Sequence, residues 1–198
     1  TGSRTGLINS LREMRGELSP EETELRELTD SAFTKLCAMT DEDFAQLELY
    51  GATLGQPYLD RARQLCDYAL KEFRDKEGGG FYLYGRGGEQ LVLRPKETYD
   101  GALPSGNSIM AWDLVRLSQI TGSSVYEEEA RRQLGFLSLE AAGYPAGYAM
   151  FLLALLDWED PPPKVVVVPA GPGEVGGLPG ELPAEAVVQV LPGPGAGY

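Results

Sequence analysis

The sequence predicts a mainly α-helical chain whose helical hairpins lie side by side as part of an αα-toroid or solenoid. Two observations carry that fold class. Apolar residues recur every three or four positions in about six separate stretches, the mark of helices with one buried face. One helix-turn-helix pattern also occurs twice: Gly55, Tyr58 and Ala62 in LYGATLGQPYLDRA match Gly122, Tyr126 and Ala130 in RLSQITGSSVYEEEA. The glycine permits a left-handed helix end, the tyrosine begins the next helix, and the alanine lets two helices approach closely.

The elements follow in order. Ser19-Pro20-Glu21-Glu22 opens a first helix, with Ser19 as cap, Pro20 in the first turn and Glu22 completing a capping box. It runs to about Met39 on a stripe of Leu25, Leu28, Ala32, Phe33 and Leu36. Thr40-Asp41-Glu42-Asp43 offers a second cap, ahead of a helix from Phe44 to Thr53. A third helix spans Pro57 to about Lys76, with Tyr58, Ala62, Leu65, Ala69 and Phe73 on its stripe, and Gly78-Gly79-Gly80 stops it. Phe81 to Tyr84 and Gln90 to Leu93 alternate around Gly85-Arg86-Gly87-Gly88, so a short β-hairpin is expected near 81–93. Helices return from Ser108 to Thr121, from Tyr126 to about Glu140, and from Pro145 to Trp158, the last uniformly apolar and expected to be buried. Val165 to Val168 and Val187 to Val190 are strand runs in a Gly/Pro-rich tail that is expected to pack poorly after Pro169. The organisation is therefore an N-terminal segment or linker over 1–18, a helical portion over 19–163, and a strand region with tail over 164–198.

Composition excludes several function classes. A chain of 198 residues suits one domain, and its formal charge of −13 opposes both nucleic acid and anionic membranes. No apolar run approaches the roughly 20 residues that span a bilayer, and the polar N-terminus carries no signal pattern, so a cytoplasmic location is expected. Histidine is absent, which removes the usual general base, metal ligand and nucleophile partner. Cys37 and Cys66 sit 29 positions apart in helical patterns and read as buried free thiols. No cofactor or metal site is expected, and any chemistry falls to carboxylates, Lys, Tyr or Arg.

Polar groups and chain-breakers concentrate in RPKETYDGALPSGNS, residues 94–108. As a site, this stretch offers Glu97 and Asp100 as catalytic carboxylates and Arg94 and Lys96 as donors to a hydroxyl-rich or anionic ligand. Tyr99, Ser105 and Asn107 would complete a polar cup, with Trp112 as an aromatic platform for a sugar. As structure, Asp100, Ser105 and Asn107 would bond the turn and cap the helix that begins near Ser108, while Arg94 and Lys96 neutralise neighbouring acids. The sequence leaves both readings open.

FRDKEGGGFY, LVLRPKETYDGALPSGNSIMAWDLVRLSQITG, YEEEA and PPPKVVVVPAG together resemble the C-terminal half of the YyaL-like family, also called spermatogenesis-associated, thioredoxin-domain-containing proteins. The likeness covers about Asp41 to Ala170, and Glu97 to Ser108 carry the family's signature. It implies part of an (α/α)6-type six-hairpin toroid, without the family's thioredoxin-like domain and with too few helices to close a ring in one copy. Oligomerisation would then complete it. Two functions follow from the resemblance: a carbohydrate-binding or carboxylate-based carbohydrate-active protein, or a non-catalytic helical scaffold that packs against a thioredoxin-like domain or partner. Epimerases of this architecture transfer protons with histidine, which this chain lacks.

Overall fold

A computed structural model describes residues 42–86, 94–170, 175, 178–183 and 186–192. The expected first helix, Cys37, Gly87-Gly88 and the second arm of the β-hairpin lie outside these residues. Five helices are described: α1 over 42–53, α2 at Gln56–Glu72, α3 at Gly106–Thr121, α4 at Ser124–Ala141 and α5 at Ala149–Glu159.

Two-residue connections fold α1 against α2 and α3 against α4, which supports the hairpin reading. Gly122 ends α3 in the left-handed region (φ 67°), its amide donating to Ser118, as the repeat predicts. The earlier turn differs. There Leu54, with φ 54°, takes the left-handed position, while Gly55 is extended and caps α2. Leu54 is held in this costly conformation by burial in the core and by its amide bond to Tyr50 C=O. Ala62 and Ala130, the close-approach positions of the repeat, are both fully buried.

α2 ends at Glu72, earlier than its apolar pattern suggests, because the chain turns sharply through Gly78-Gly79-Gly80. Residues 73–75 and 80–82 run antiparallel: Asp75 N–H donates to Gly80 C=O, Tyr82 N–H to Phe73 C=O, and Phe81 bridges Arg74. Phe81 thus pairs backward with the end of α2 and not within an 81–84 strand.

α3 is the centre of the molecule. Every residue in it is buried except Arg116, Gln119 and Thr121, and it packs against α2, α4, α5 and the C-terminal strand. Strands β1 (Lys164–Val167) and β2 (Val187–Val190) pair in parallel, with Lys164 opposite Val187. The tail does not pack poorly at β2. Val187 and Val188 join the hydrophobic core, and Tyr50 of α1 donates its hydroxyl to Val188 C=O at 3.0 Å. Nor is α5 buried all round. It lies against α3 and α4 on one side only, burying Phe151 and Ala154, so Leu152, Leu153 (55% exposed) and Leu156 (58%) form an open apolar stripe.

Gly80 provides a direct test of the turn. Its φ is +74°, and a Cβ there would collide with the Phe136 ring of α4. Gly80→Ala should therefore lower stability by about 1–3 kcal/mol. Gly135→Ala, in the middle of α4 with open space around it, should raise stability by about 0.5–1 kcal/mol. Urea denaturation midpoints measure both.

Candidate functional site

The chain from 94 to 100 is extended, and its burial alternates. Pro95, Glu97 and Tyr99 face outward, whereas Arg94, Lys96, Thr98 and Asp100 turn inward. Glu97 and Asp100 therefore lie on opposite sides of the segment and do not form a facing pair.

Asp100 is buried, and both its oxygens are engaged by backbone amides. Oδ1 accepts from Ser105 N–H at 2.8 Å; Oδ2 accepts from the N–H groups of Met150 (2.9 Å) and Phe151 (3.3 Å) at the start of α5. It closes the 100–105 turn and supplies a negative charge where the first amides of a helix lack partners. Ser105 is the N-cap of α3: its Oγ accepts from Ser108 N–H at 3.1 Å and donates to Thr98 C=O at 3.1 Å.

Asn107 fills all four of its hydrogen-bonding positions. Nδ2 donates to the carbonyls of Phe81 (3.0 Å) and Glu97 (2.7 Å), and Oδ1 accepts from Phe81 N–H (2.7 Å) and Gln133 Nε2 (3.1 Å). One side chain thus joins three chain segments and α4.

The inward cations are also committed. Lys96 Nζ donates to Asp75 Oδ2 at 2.7 Å and to Gly79 C=O, and it lies 4.9 Å from the centres of the Tyr82 and Phe136 rings. Asp75 also accepts from Tyr82 Oη and from the amides of Glu77 and Gly78. Burial alone would raise its pKa, but Lys96, Tyr82 and the amides together hold it well below the usual carboxylate range. Arg94 donates to Tyr84 C=O at 2.6 Å and stacks over Tyr82 at 4.0 Å.

Glu97 and Tyr99 remain outward. The Glu97 carboxyl makes no hydrogen bond or ion pair among the described residues, and partial desolvation raises its pKa. Tyr99 is 52% exposed and stacks on Tyr144, with 6.4 Å between centroids and planes 4° apart, while Tyr148 meets it edge-on. Trp112 belongs elsewhere. It is buried against Phe44 of α1 at 4.9 Å, beside a cleft of about 540 Å³ between α1, α3 and the β2 region.

Sequence reasoning missed two groups. One is the Asp75 and Gln133 support behind Lys96 and Asn107, which only the fold brings near. The other is a pair of buried acids, Asp43 on α1 and Asp113 on α3, which the sequence does signal. Asp43 continues the apolar stripe of Leu47, Tyr50 and Leu54, and Asp113 falls among Met110, Leu114 and Leu117. Cys66 is a buried free thiol as expected, its pKa pushed up by burial and then by the nearby Asp43 and Asp113. Among the described residues, no cluster of three or more His, Cys, Asp or Glu could hold a metal, and no helix is long and apolar enough to cross a membrane.

The fold defines an α-helical hairpin protein, and its 94–108 segment is bound into its own backbone. Sequence comparison finds relatives of part of the chain. Spermatogenesis-associated protein 20 of Rattus norvegicus, Mus musculus and Homo sapiens is 42% identical to this chain over 77 residues in each case, covering 38% of this chain. This bears out the resemblance to the spermatogenesis-associated family over that stretch. The chain spans about a tenth of the length of these curated relatives. A family model described as "Putative transposon-transfer assisting protein" matches residues 1–51, which include most of α1.

Because Asn107 and Asp100 satisfy buried backbone groups, truncating them should act on stability. Asn107→Ala orphans the amide and carbonyl of Phe81 and the carbonyl of Glu97, and should cost about 3 kcal/mol or more. Asp100→Asn places an NH2 against backbone N–H groups and should cost about 2 kcal/mol. Thermal unfolding followed by circular dichroism reads both.

Proposed function

We propose that this chain is a non-catalytic helical scaffold module, a portion of a six-hairpin toroid that packs against further helices or a thioredoxin-like domain. The observation that carries this reading is the saturation of the 94–108 segment. The inward side chains of Arg94, Lys96, Asp100, Ser105 and Asn107 all bond groups of the chain itself. A ligand would have to break those bonds and leave buried groups unpaired. The open Leu152, Leu153 and Leu156 stripe of α5 supports the reading from the other side, since a helix apolar all round is built to be covered all round.

A second reading rests on a specific observation. Glu97 is a carboxyl of raised pKa with no partner among the described residues, two residues along the same outward face from the exposed Tyr99–Tyr144 stack. A flat aromatic pair beside a carboxyl suits the apolar face and hydroxyls of a sugar. A carbohydrate ligand on this surface would use Glu97 and Tyr99, with Asp100 serving only to hold the loop.

A glycan and sugar-phosphate binding screen separates the two. The scaffold reading expects no binding by the wild-type chain, and no change in melting temperature for Glu97→Gln. A ligand that binds the wild type and is lost in Glu97→Gln or Tyr99→Ala, with unchanged melting temperature, would establish the carbohydrate reading instead.

A further inference from the structure

Asp43 and Asp113 are 1% and 0% exposed, and none of their four carboxyl oxygens has a hydrogen-bond partner among the described residues. They sit on two packed helices, next to the Phe44–Trp112 ring contact that joins α1 to α3. Asp100, by contrast, is compensated by three amides and Asp75 by Lys96. Asp43 and Asp113 are not. An unpaired carboxylate inside a protein is strongly disfavoured, so each acid favours its protonated form while buried and opposes burial once ionised.

We propose that the Asp43–Asp113 pair is a proton-controlled latch between α1 and α3, which permits docking while the acids are protonated and opposes it once they ionise, so that α1 undocks as pH rises. Among the described residues, the charged and titratable groups around it supply little compensation. From α1, Glu42 and Glu48 face the pair with negative charge. From α2, Asp67 adds another negative charge, the Cys66 thiol is buried beside both acids, and Arg61, the cation that acts on Asp43 among the described residues, is already bonded to Glu42 at 2.9 Å. From α4, Tyr126 donates to Asp67 at 2.9 Å, and Glu129 is held by Arg74. Burial first, then Glu42 and Asp67, pushes the Asp43 pKa up to about 8 against the pull of Arg61; burial and Asp43 raise that of Asp113 well above the usual range.

The sign follows from linkage. In the docked state the pair binds protons that a water-exposed aspartate, with pKa about 3.9, has already released. Docking is therefore strongest below about pH 4 and weakens as pH rises towards 8. Above that range the docked state has lost its proton from Asp43 too, and this contribution to the pH dependence levels off. Each proton released on opening should multiply the undocking constant roughly tenfold per pH unit between those limits. Undocking would open the cleft that α1 shares with Trp112, Arg116 and Val188.

Amide hydrogen exchange on the full chain between pH 5 and pH 7.5, corrected for intrinsic rates, tests the latch. Protection of α1 amides should fall roughly tenfold or more per pH unit relative to α3 amides. Asp43→Asn/Asp113→Asn should flatten that dependence, each single Asn variant should reduce it, and Glu159→Gln, an exposed charge control, should leave it unchanged. A pH-independent α1 in the wild type, an α1 with no protection at pH 5, an unaltered slope in the Asn variants, or an equal reduction in Glu159→Gln would each overturn the proposal.

Discussion

Enclosure of α3 is the constraint on which the rest of this structure depends. A helix covered by α2, α4, α5 and β2 has no water to satisfy its first turn, so protein groups must do so. Ser105 caps it, Asp100 fixes the turn that leads into it, and Asn107 fastens it to Phe81 and Glu97. Asp100 then reaches the amides that open α5, so one short segment sets the start of two helices. The Gly-rich turn is drawn into the same arrangement through Phe81, which Asn107 grips by both its N–H and its C=O. The density of polar residues and chain-breakers at 94–108 is a consequence of starting a helix in the middle of a core.

Much of this was legible in the sequence. Helical periodicity located α1 to α5 to within a few residues, and the Gly-Tyr-Ala repeat located both hairpin turns. The structural alternative for Asp100, Ser105 and Asn107 named their roles, although not Phe81, Gln133 or the start of α5 as partners. Those partners lie up to 51 positions away and carry no local pattern. The left-handed residue of the first hairpin was misplaced by one because glycine is the local favourite, whereas tertiary burial holds Leu54 there. α5 was misjudged because composition reports how much apolar surface a helix has and not how many neighbours cover it. The strand run at Val187 to Val190 was legible as β2, but the Gly/Pro-rich composition of the tail concealed its packing, which depends on α1 and α3, far away in sequence.

Four aspartates show how completely environment overrides residue type. Asp75 is held ionised by a lysine and a tyrosine, and Asp100 is held by amides. Asp43 and Asp113 have no hydrogen-bond partner among the described residues, and burial favours their protonated forms. A formal charge of −13 makes the last case more acute, since 30 acidic residues face 17 basic ones. The helix that carries Asp43 is also largely within the residues matched by the transposon-transfer family model. The pair thus lies where the segment with that similarity meets the central helix.

The hydrogen bond from Tyr50 to Val188 spans 138 positions of sequence. Closing a loop of that length costs about 4 kcal/mol in chain entropy, beyond a constant term, before the contact returns anything. Helical hairpins form from near neighbours and are fast, whereas a contact of this separation slows the search for the native topology. The C-terminal strand is therefore the element whose docking depends on most of the other structure being in place. A folding unit that ended with α5 would lack the strand that covers Tyr50 and one side of α3.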